Sequence, residues 1–108
     1  EQALSLQRVL GNRQGESANL GNLGSIRFKQ GNGQKARELY EQQLALARET
    51  GDQRSEGFAL WNLSLTLKRF GQDTRALEQA ESAFKMLEQL EDPLAAIVGQ
   101  QINIWLGH

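Results

Sequence analysis

Apolar residues recur along much of the chain at spacings of three and four, which places them on one face of an α-helix. In the second half of the chain, one such stripe runs from Phe58 to Phe70 and the next runs from Leu77 to Leu90. β-Branched residues are few and proline occurs once, so the composition does not favour strands. The pattern predicts helices near residues 1–10, 14–30, 34–50, 54–70, 74–90 and 93–106, joined by short turns.

Glycine and aspartate mark the ends of the predicted helices. Gly31 and Gly71 lie between paired helices, where glycine tolerates the positive φ that ends a helix. Asp52 can cap the helix that follows it. Asp92-Pro93 is the clearest boundary, because Asp accepts N–H groups at the N-cap and Pro suits the first helical position. Since the turn within a pair has only about three residues, the two helices of a pair must pack antiparallel.

The helix predicted for residues 14–30 contains Gly15, Gly21 and Gly24. Each glycine lowers helix stability by roughly 0.5–1 kcal/mol relative to alanine, so this helix is locally the weakest. Glycine at such a cost is typical of a close approach between two helices. We expect Gly24 to provide that approach by lying opposite Ala36.

The chain also repeats itself at an offset of 40 residues, and residues 1–10 continue the register by matching residues 41–50. A fixed period of this length indicates a solenoid, in which each unit buries its apolar face only by stacking on its neighbours. We predict an all-α fold, an α-solenoid of antiparallel helix pairs. Two full repeats span 11–50 and 51–90, flanked by the end of a preceding repeat at 1–10 and a capping or partial repeat helix at 91–108. The first-unit residues that recur unchanged in the second are Gly11, Glu16, Leu20, Asn22, Leu23, Gly31, Ala36, Glu38 and Glu41.

The composition narrows the classes of function. The net charge of −1 argues against nonspecific nucleic-acid binding, which depends on an excess of Lys and Arg. The absence of cysteine excludes a disulfide framework and a thiolate metal site, and it fits a reducing compartment. No apolar run is long enough to span a bilayer, and there is no signal peptide. We expect a cytoplasmic protein with no membrane and no nucleic-acid partner and, because an initiator Met is lacking, a piece of a longer protein.

No group of residues in the sequence carries catalytic or cofactor chemistry. His108 is the only histidine and is terminal, so neither a histidine metal site nor a catalytic triad can form. Residues 31–36 superficially match a dinucleotide-binding fingerprint, but no predicted strand precedes them as that fingerprint requires. We therefore predict that the protein is not an enzyme and binds no cofactor and no metal.

The repeated residues resemble the consensus of the tetratricopeptide repeat family in its 40-residue variety. This variety is similar to repeats in kinesin light chains, Pins-type spindle adaptors and the sensor arrays of bacterial signalling proteins. The resemblance implies a right-handed superhelix whose first helices line a concave groove, and a function in protein–protein interaction. In the first unit it is carried by Leu20-Gly21-Asn22-Leu23-Gly24, Gly31, Ala36, Tyr40 and Leu44. In the second unit it is carried by Leu60, Asn62-Leu63-Ser64, Gly71, Ala76, Ala80, Ala83 and Phe84.

The sequence departs from the family pattern at several positions. Arg27 stands where the family has an aromatic packing residue, and Gln43 stands where it has a small one, so we expect looser packing in the first unit. Of the residues that form the family's carboxylate clamp, only one Asn has a counterpart, Asn62. The resemblance therefore does not imply binding of chaperone tails.

Asn22 and Asn62 recur at the same place on successive first helices, on the face that lines the groove in this family. A side-chain amide both donates and accepts, so it can pair with the backbone of an extended peptide whatever the peptide's sequence. The alternative is that each Asn bonds only a neighbouring helix or water. We interpret the pair as the centre of a candidate groove.

Basic and aromatic residues on the first helices extend this candidate site. Lys29, Lys68 and Arg69 favour an acidic or phosphorylated segment, although basic residues in the last turn of a helix also stabilise its dipole. Phe58 and Trp61 are candidates either for aromatic contacts with a partner or for the core. The predicted peptide-binding residues are Asn22, Ser25, Lys29, Phe58, Trp61, Asn62, Leu65, Lys68 and Arg69.

These patterns favour a protein-interaction module that binds a peptide segment of a partner protein in its concave groove. The alternative is a structural element that self-assembles as a homo-oligomer through residues 1–10 and 93–106. Each of these segments would lack a neighbour in the array, so its apolar side chains would face water unless two chains pair there or a longer parent protein supplies the missing neighbours. Those side chains are Leu4, Leu6, Val9 and Leu10 at one end and Ile102, Ile104, Trp105 and Leu106 at the other.

Overall fold

The structure is a computed structural model that describes the backbone of residues 2–107 and the side chains of residues 13 and 15–107. This part of the chain consists of helices joined by short turns and contains no strand. The helices are α1 (Gln2–Lys29), α2 (Gly33–Thr50), α3 (Gln53–Arg69), α4 (Asp73–Gln89) and α5 (Leu94–Leu106). The all-α prediction is confirmed, and α2 to α5 begin and end within one residue of their predicted positions.

The first helix differs from the prediction. We expected separate helices at 1–10 and 14–30, but α1 runs without interruption from Gln2 to Lys29. Gly51, which occupies the position of Gly11 in the next unit, has a left-handed backbone with φ 72° and ends α2. Because glycine adopts the helical conformation as readily as the left-handed one, Gly11 permits a turn without imposing it.

Side-chain caps begin α2 and α3, and a side-chain hydrogen bond precedes α5, whose N-cap is Pro93 and not the predicted Asp92. Asn32 Oδ1 accepts a hydrogen bond from the Lys35 N–H at 3.2 Å, ahead of α2. Asp52 Oδ1 accepts from the Ser55 N–H at 3.1 Å, so the predicted cap of α3 is confirmed. Asp92 Oδ1 accepts from the Leu94 N–H at 2.9 Å, and α5 begins at Leu94, one residue later than predicted. These bonds satisfy N–H groups that have no partner within the helix.

The helices pack mainly on their neighbours in sequence. α1 packs on α2, and α3 packs on α4, as two antiparallel pairs. Between the pairs, α2 packs on α3 and α1 also contacts α3, and α5 packs on α4. The main core lies among α3, α4 and α5, and a smaller core of Ala36, Tyr40 and Leu63 joins α2 to α3. The residues of the main core are Leu60, Trp61, Ala80, Ala83, Leu87, Ala95, Val98 and Ile102. This arrangement is the predicted α-solenoid of helix pairs.

At one pair of facing positions, the large side chain comes from the second helix in the first repeat and from the first helix in the second repeat. A Cβ on Gly21 would lie 2.7 Å from Gln43 Nε2, so Gly21 on α1 makes room for Gln43 on α2. At the equivalent positions of the second repeat, the large residue is Trp61 on α3 and the small one is Ala83 on α4. Gln43 is therefore packed against the glycine, and the looser packing expected at this position is not seen, since only 4% of Gln43 is exposed.

Gly24 follows the same pattern. A Cβ on Gly24 would lie 2.6 Å from the Tyr40 ring, so Gly24 on α1 makes room for Tyr40 on α2. In the second repeat, the equivalent pair is Ser64 and Ala80, again with the larger residue on the first helix.

Of the four apolar residues predicted to face water near the end of the chain, two pack in or against the core and two are exposed. Ile102 belongs to the main core, and the Trp105 ring stacks on Trp61, so the prediction is wrong for Ile102 and overstates the exposure of Trp105. Ile104 and Leu106 are exposed as expected, and so is Ile97 on the same helix. Leu4, Leu6, Val9 and Leu10 lie outside the side chains that the structure describes.

Candidate binding groove

α1 and α3 border a pocket of about 450 Å³. Gly21, Asn22 and Ser25 line it from α1, and Phe58, Trp61 and Asn62 line it from α3. α2 contributes Gln43, and the start of α5 contributes Leu94. We call this hollow the main pocket, because it is the larger of two pockets that α1 and α3 border. It brings Asn22 and Asn62, equivalent residues of the two repeats, to one cavity.

A second pocket of about 150 Å³ adjoins the main pocket. Ser25 and Asn62 line both of them, so the two pockets are neighbours, and we call them together the groove. The residues of this small pocket are Ser25, Phe28, Lys29, Tyr40, Asn62 and Leu65. Seven of the nine residues predicted from the sequence therefore border the groove: Asn22, Ser25, Lys29, Phe58, Trp61, Asn62 and Leu65.

Lys68 and Arg69, the other two predicted residues, line neither pocket. The ammonium group of Lys68 lies 3.2 Å from Asp73 Oδ1 and 5.6 Å from the centre of the Trp105 ring. The guanidinium group of Arg69 stacks 3.6 Å from the Phe28 ring centre and donates to the Phe28 carbonyl at 2.7 Å. Both cations are thus engaged in contacts between helices of the array, where cation–π attraction stabilises the stacking.

Trp61 serves the core as well as the pocket. Only 9% of the residue is exposed, and its ring stacks on Trp105 with centroids 6.2 Å apart. Phe58 is partly buried against the same core and also lines the main pocket. The aromatic residues are therefore held rigidly, and they give the main pocket an apolar wall.

A row of polar side chains runs beneath the main pocket. Gln43 Nε2 donates to Ser55 Oγ at 3.3 Å, and Ser55 Oγ lies 2.7 Å from the hydroxyl of the fully buried Ser17. Gln43 Oε1 is buried, and none of the described groups donates a hydrogen bond to it. A buried acceptor without a donor is unfavourable, and native proteins contain few of them.

Gln43 and Ser55 were not among the residues that the sequence identified as a site. One signal for Gln43 is present in the repeat itself, because its counterpart in the second unit is Ala83. A polar residue in place of a buried alanine requires both space and a hydrogen-bond partner. Gly21 provides the space and Ser55 provides one partner. Their proximity to Gln43 is a consequence of helix packing, so it is not visible in the sequence.

The small pocket contains a hydroxyl pair. Tyr40 Oη lies 3.0 Å from Ser25 Oγ, which joins α2 to α1. Burial raises the pKa of the Tyr40 phenol above its ordinary value, and the hydrogen bond from Ser25 acts in the opposite direction to a smaller extent. The phenol is therefore neutral at physiological pH and contributes a polar but uncharged wall.

The charges around the groove are largely balanced. At the main pocket, the Arg54 guanidinium lies 3.1 Å from Asp92 Oδ2, and Asp52 accepts the backbone bond that caps α3. At the small pocket, Lys29 is exposed and forms no salt bridge with a described residue. One end of the groove is therefore mildly basic, and the other is close to neutral.

No three His, Cys, Asp or Glu side chains of the described part of the chain come together as metal ligands would. Of the helices described here, none combines the length and the apolar character required to cross a membrane.

The comparisons with known proteins agree with the architecture. A model of the tetratricopeptide repeat family matches residues 15–89, which covers the later part of α1 and all of α2, α3 and α4. A search of curated proteins finds no match to the chain. Because the matched residues make up more than half of the sequence, the chain belongs to the tetratricopeptide repeat family, a helical repeat that generally mediates protein–protein interactions.

Proposed function

We propose that the groove binds an extended segment of a partner protein. The observation that carries the proposal is that Asn22 and Asn62, at the same position of successive repeats, border the same pocket. Each amide offers both a donor and an acceptor to a peptide backbone, so the pair can hold an extended strand without requiring a particular sequence.

The state of the two amides supports this role. Among the described residues, neither the Asn22 nor the Asn62 side chain forms a hydrogen bond within the protein. The alternative interpretation, in which each Asn bonds a neighbouring helix, therefore has no support from the described contacts. A single hydrogen bond of this kind contributes about 0.5–1.5 kcal/mol, so affinity requires the apolar walls as well.

The chemistry of the groove suggests how the segment lies. Phe58 and Leu65 offer apolar surface to partner side chains at the main and small pockets respectively. Lys29 favours an acidic or phosphorylated group at the small pocket. We leave Lys68 and Arg69 out of the proposed site, because both contact other helices of the array.

A display library of randomised peptides tests this proposal. We expect the wild-type protein to capture peptides and the Asn22→Ala/Asn62→Ala double variant to lose that capture, with helicity and molecular size unchanged. Asn19→Ala/Asn103→Ala is a matched control, since both of these residues are exposed and neither borders the groove. Equal capture by the wild type and the groove variant would contradict the proposal.

A second candidate function is self-assembly, and exposed apolar residues favour it. Ile97, Ile104 and Leu106 are exposed on α5, and Leu23 and Ile26 are exposed on α1. Pairing of two chains through such surfaces would remove apolar area from water.

A further inference from the structure

We propose that the main pocket accepts a tyrosine side chain of the partner segment, with the phenol hydroxyl hydrogen-bonded to the Gln43 amide. This inference rests on the proposed function of the groove and adds the chemical identity of one residue of the partner. It starts from a difference between the two repeats.

The main pocket reaches Gln43 because of Gly21. In the second repeat, the position of Gly21 is occupied by Trp61, and the position of Gln43 is occupied by Ala83. Gly21 has no side chain to cover α2, so a residue of the second helix lines a pocket that α1 and α3 otherwise form. The groove therefore has a polar floor at this one point.

The amide at that floor has unused hydrogen-bonding capacity. Gln43 is only 4% exposed, and Nε2 makes a long bond of 3.3 Å to Ser55. Oε1 is shielded from water and has no donor among the described residues. The terminal torsion of a Gln side chain has a broad energy minimum, so a modest rotation turns the amide toward the pocket. A ligand that reaches this point supplies the missing bond.

The walls of the pocket restrict what can reach the floor. Phe58, Trp61 and Leu94 are apolar, so a suitable ligand group needs an apolar body. Arg54 is already paired with Asp92, and Asp52, the other charged residue of the lining, already accepts the hydrogen bond that caps α3. A charged group entering the pocket would therefore lose hydration and find each counter-ion already engaged. The pocket thus favours an apolar side chain with an uncharged polar end.

A phenol satisfies these requirements better than the other side chains. Its hydroxyl both donates and accepts, so it pairs with Gln43 whichever of Oε1 and Nε2 faces the pocket. The indole of tryptophan donates only, and phenylalanine can do neither. Buried tyrosine usually finds a partner for its hydroxyl and is enriched at interface anchors.

The test compares two probes that differ only in the hydroxyl, N-acetyltyrosinamide and N-acetylphenylalaninamide, by NMR titration of isotope-labelled protein. We expect the tyrosine amide to bind about tenfold more tightly, as for one hydrogen bond to an otherwise unpaired group. Its largest shifts should fall on the side-chain amides of Gln43, Asn22 and Asn62. Equal affinities, shifts located elsewhere, or no binding of either probe up to its solubility limit would overturn the inference.

Gln43→Met removes the amide and keeps the length of the side chain. We expect this variant to bind the two probes equally, whereas the control Gln79→Met, on α4 outside the groove, retains the preference for tyrosine. Persistence of the preference in a folded Gln43→Met protein would contradict the inference. The wild-type comparison stands by itself should Gln43→Met not fold.

The outcomes separate this inference from the proposed function. Peptide capture that depends on Asn22 and Asn62, combined with equal binding of the two probes, overturns only the tyrosine assignment. Tyrosine preference combined with peptide capture that survives the Asn22→Ala/Asn62→Ala change overturns only the role of the two asparagines as the peptide-binding pair.

Discussion

Gly21 and Gly24 lie in the middle of α1, where glycine is unfavourable for a helix. Both are explained by the side chains opposite them, since Gln43 and Tyr40 occupy the space that a Cβ would need. Gly15 lies on the same helix but has nothing within 4 Å of its Cβ position. The three glycines therefore have different roles, although they are alike in the sequence.

This difference predicts opposite effects of the same substitution. Gly24→Ala should lower the free energy of unfolding by about 1–3 kcal/mol, because the new methyl group collides with the rigid Tyr40 ring. Gly15→Ala should raise it by about 0.5–1 kcal/mol through helix propensity alone. Urea denaturation of the two variants measures both changes. Stabilisation by Gly24→Ala would show that the ring moves aside at little cost.

The connections between the helices each contain a residue with positive φ, which is a glycine in three of them and a glutamate in the fourth. Gly31, Gly51 and Gly71 follow α1, α2 and α3 with φ of 81°, 72° and 78°, in the left-handed region that suits glycine. The corresponding position after α4 is Glu91, which has φ 55°. A side chain in this region costs roughly 1–2 kcal/mol, so the fold imposes this conformation on a residue that does not favour it.

Glu91→Gly should therefore raise the free energy of unfolding by about 1 kcal/mol, because glycine adopts the left-handed conformation without strain. Part of the gain is lost because glycine also makes the unfolded chain more flexible. Gly71 occupies the equivalent position in the preceding connection, between α3 and α4. Gly71→Ala should therefore lower the free energy of unfolding. Thermal and urea unfolding provide the measurement. No gain from Glu91→Gly would mean that contacts of the Glu91 side chain compensate for its backbone.

Across the molecule, the helix pairs form an elongated array, and its apolar surface is not fully covered. Ile104 is 66% exposed on α5, and Ile97 is exposed on the same helix. A repeat array normally covers such residues with the next helix or with another chain. Here they form the surface on which the second candidate function depends.

If this surface mediates self-assembly, the sedimentation coefficient of the wild type should rise with protein concentration. The Ile97→Lys/Ile104→Lys variant should remain monomeric, because buried lysines would oppose the contact. Ala96→Lys/Asn103→Lys adds the same charge at exposed positions on a different face of α5 and should behave as the wild type does. A wild type that is monomeric at every concentration would exclude assembly through this surface.

Much of the architecture was predictable because it depends on residues close together in the chain. The apolar spacing located α2 to α5 to within one residue, and Asp52 caps α3 as its position indicated. The N-cap of α5 is Pro93, so the prediction that Asp92 caps this helix was wrong. The prediction was wrong at Gly11, where α1 continues, because a glycine is compatible with both a turn and a helix. Local signals permit a turn there, but they do not require one.

The residues of the candidate groove could be predicted only in part from the sequence. The repeat placed Asn22 and Asn62 at equivalent positions of two first helices, and the fold brings them to one pocket. Lys68 and Arg69 instead contact Trp105 and Phe28, residues that are distant in the chain. Their placement depends on how the repeats stack, so the last-turn position of two basic residues did not reveal it.

The order of amino acids alone specified the helices, their caps, the repeat and membership of a family of interaction modules, since periodicity and capping act over a few residues. Only the packed molecule decided that Gly21 exposes Gln43, that Gly24 admits Tyr40, and that the hollow between α1 and α3 has a polar floor. Those features depend on which side chains of different helices lie next to one another in the folded chain. Because the interior is closely packed, the size of each side chain limits the space left for its neighbours on other helices.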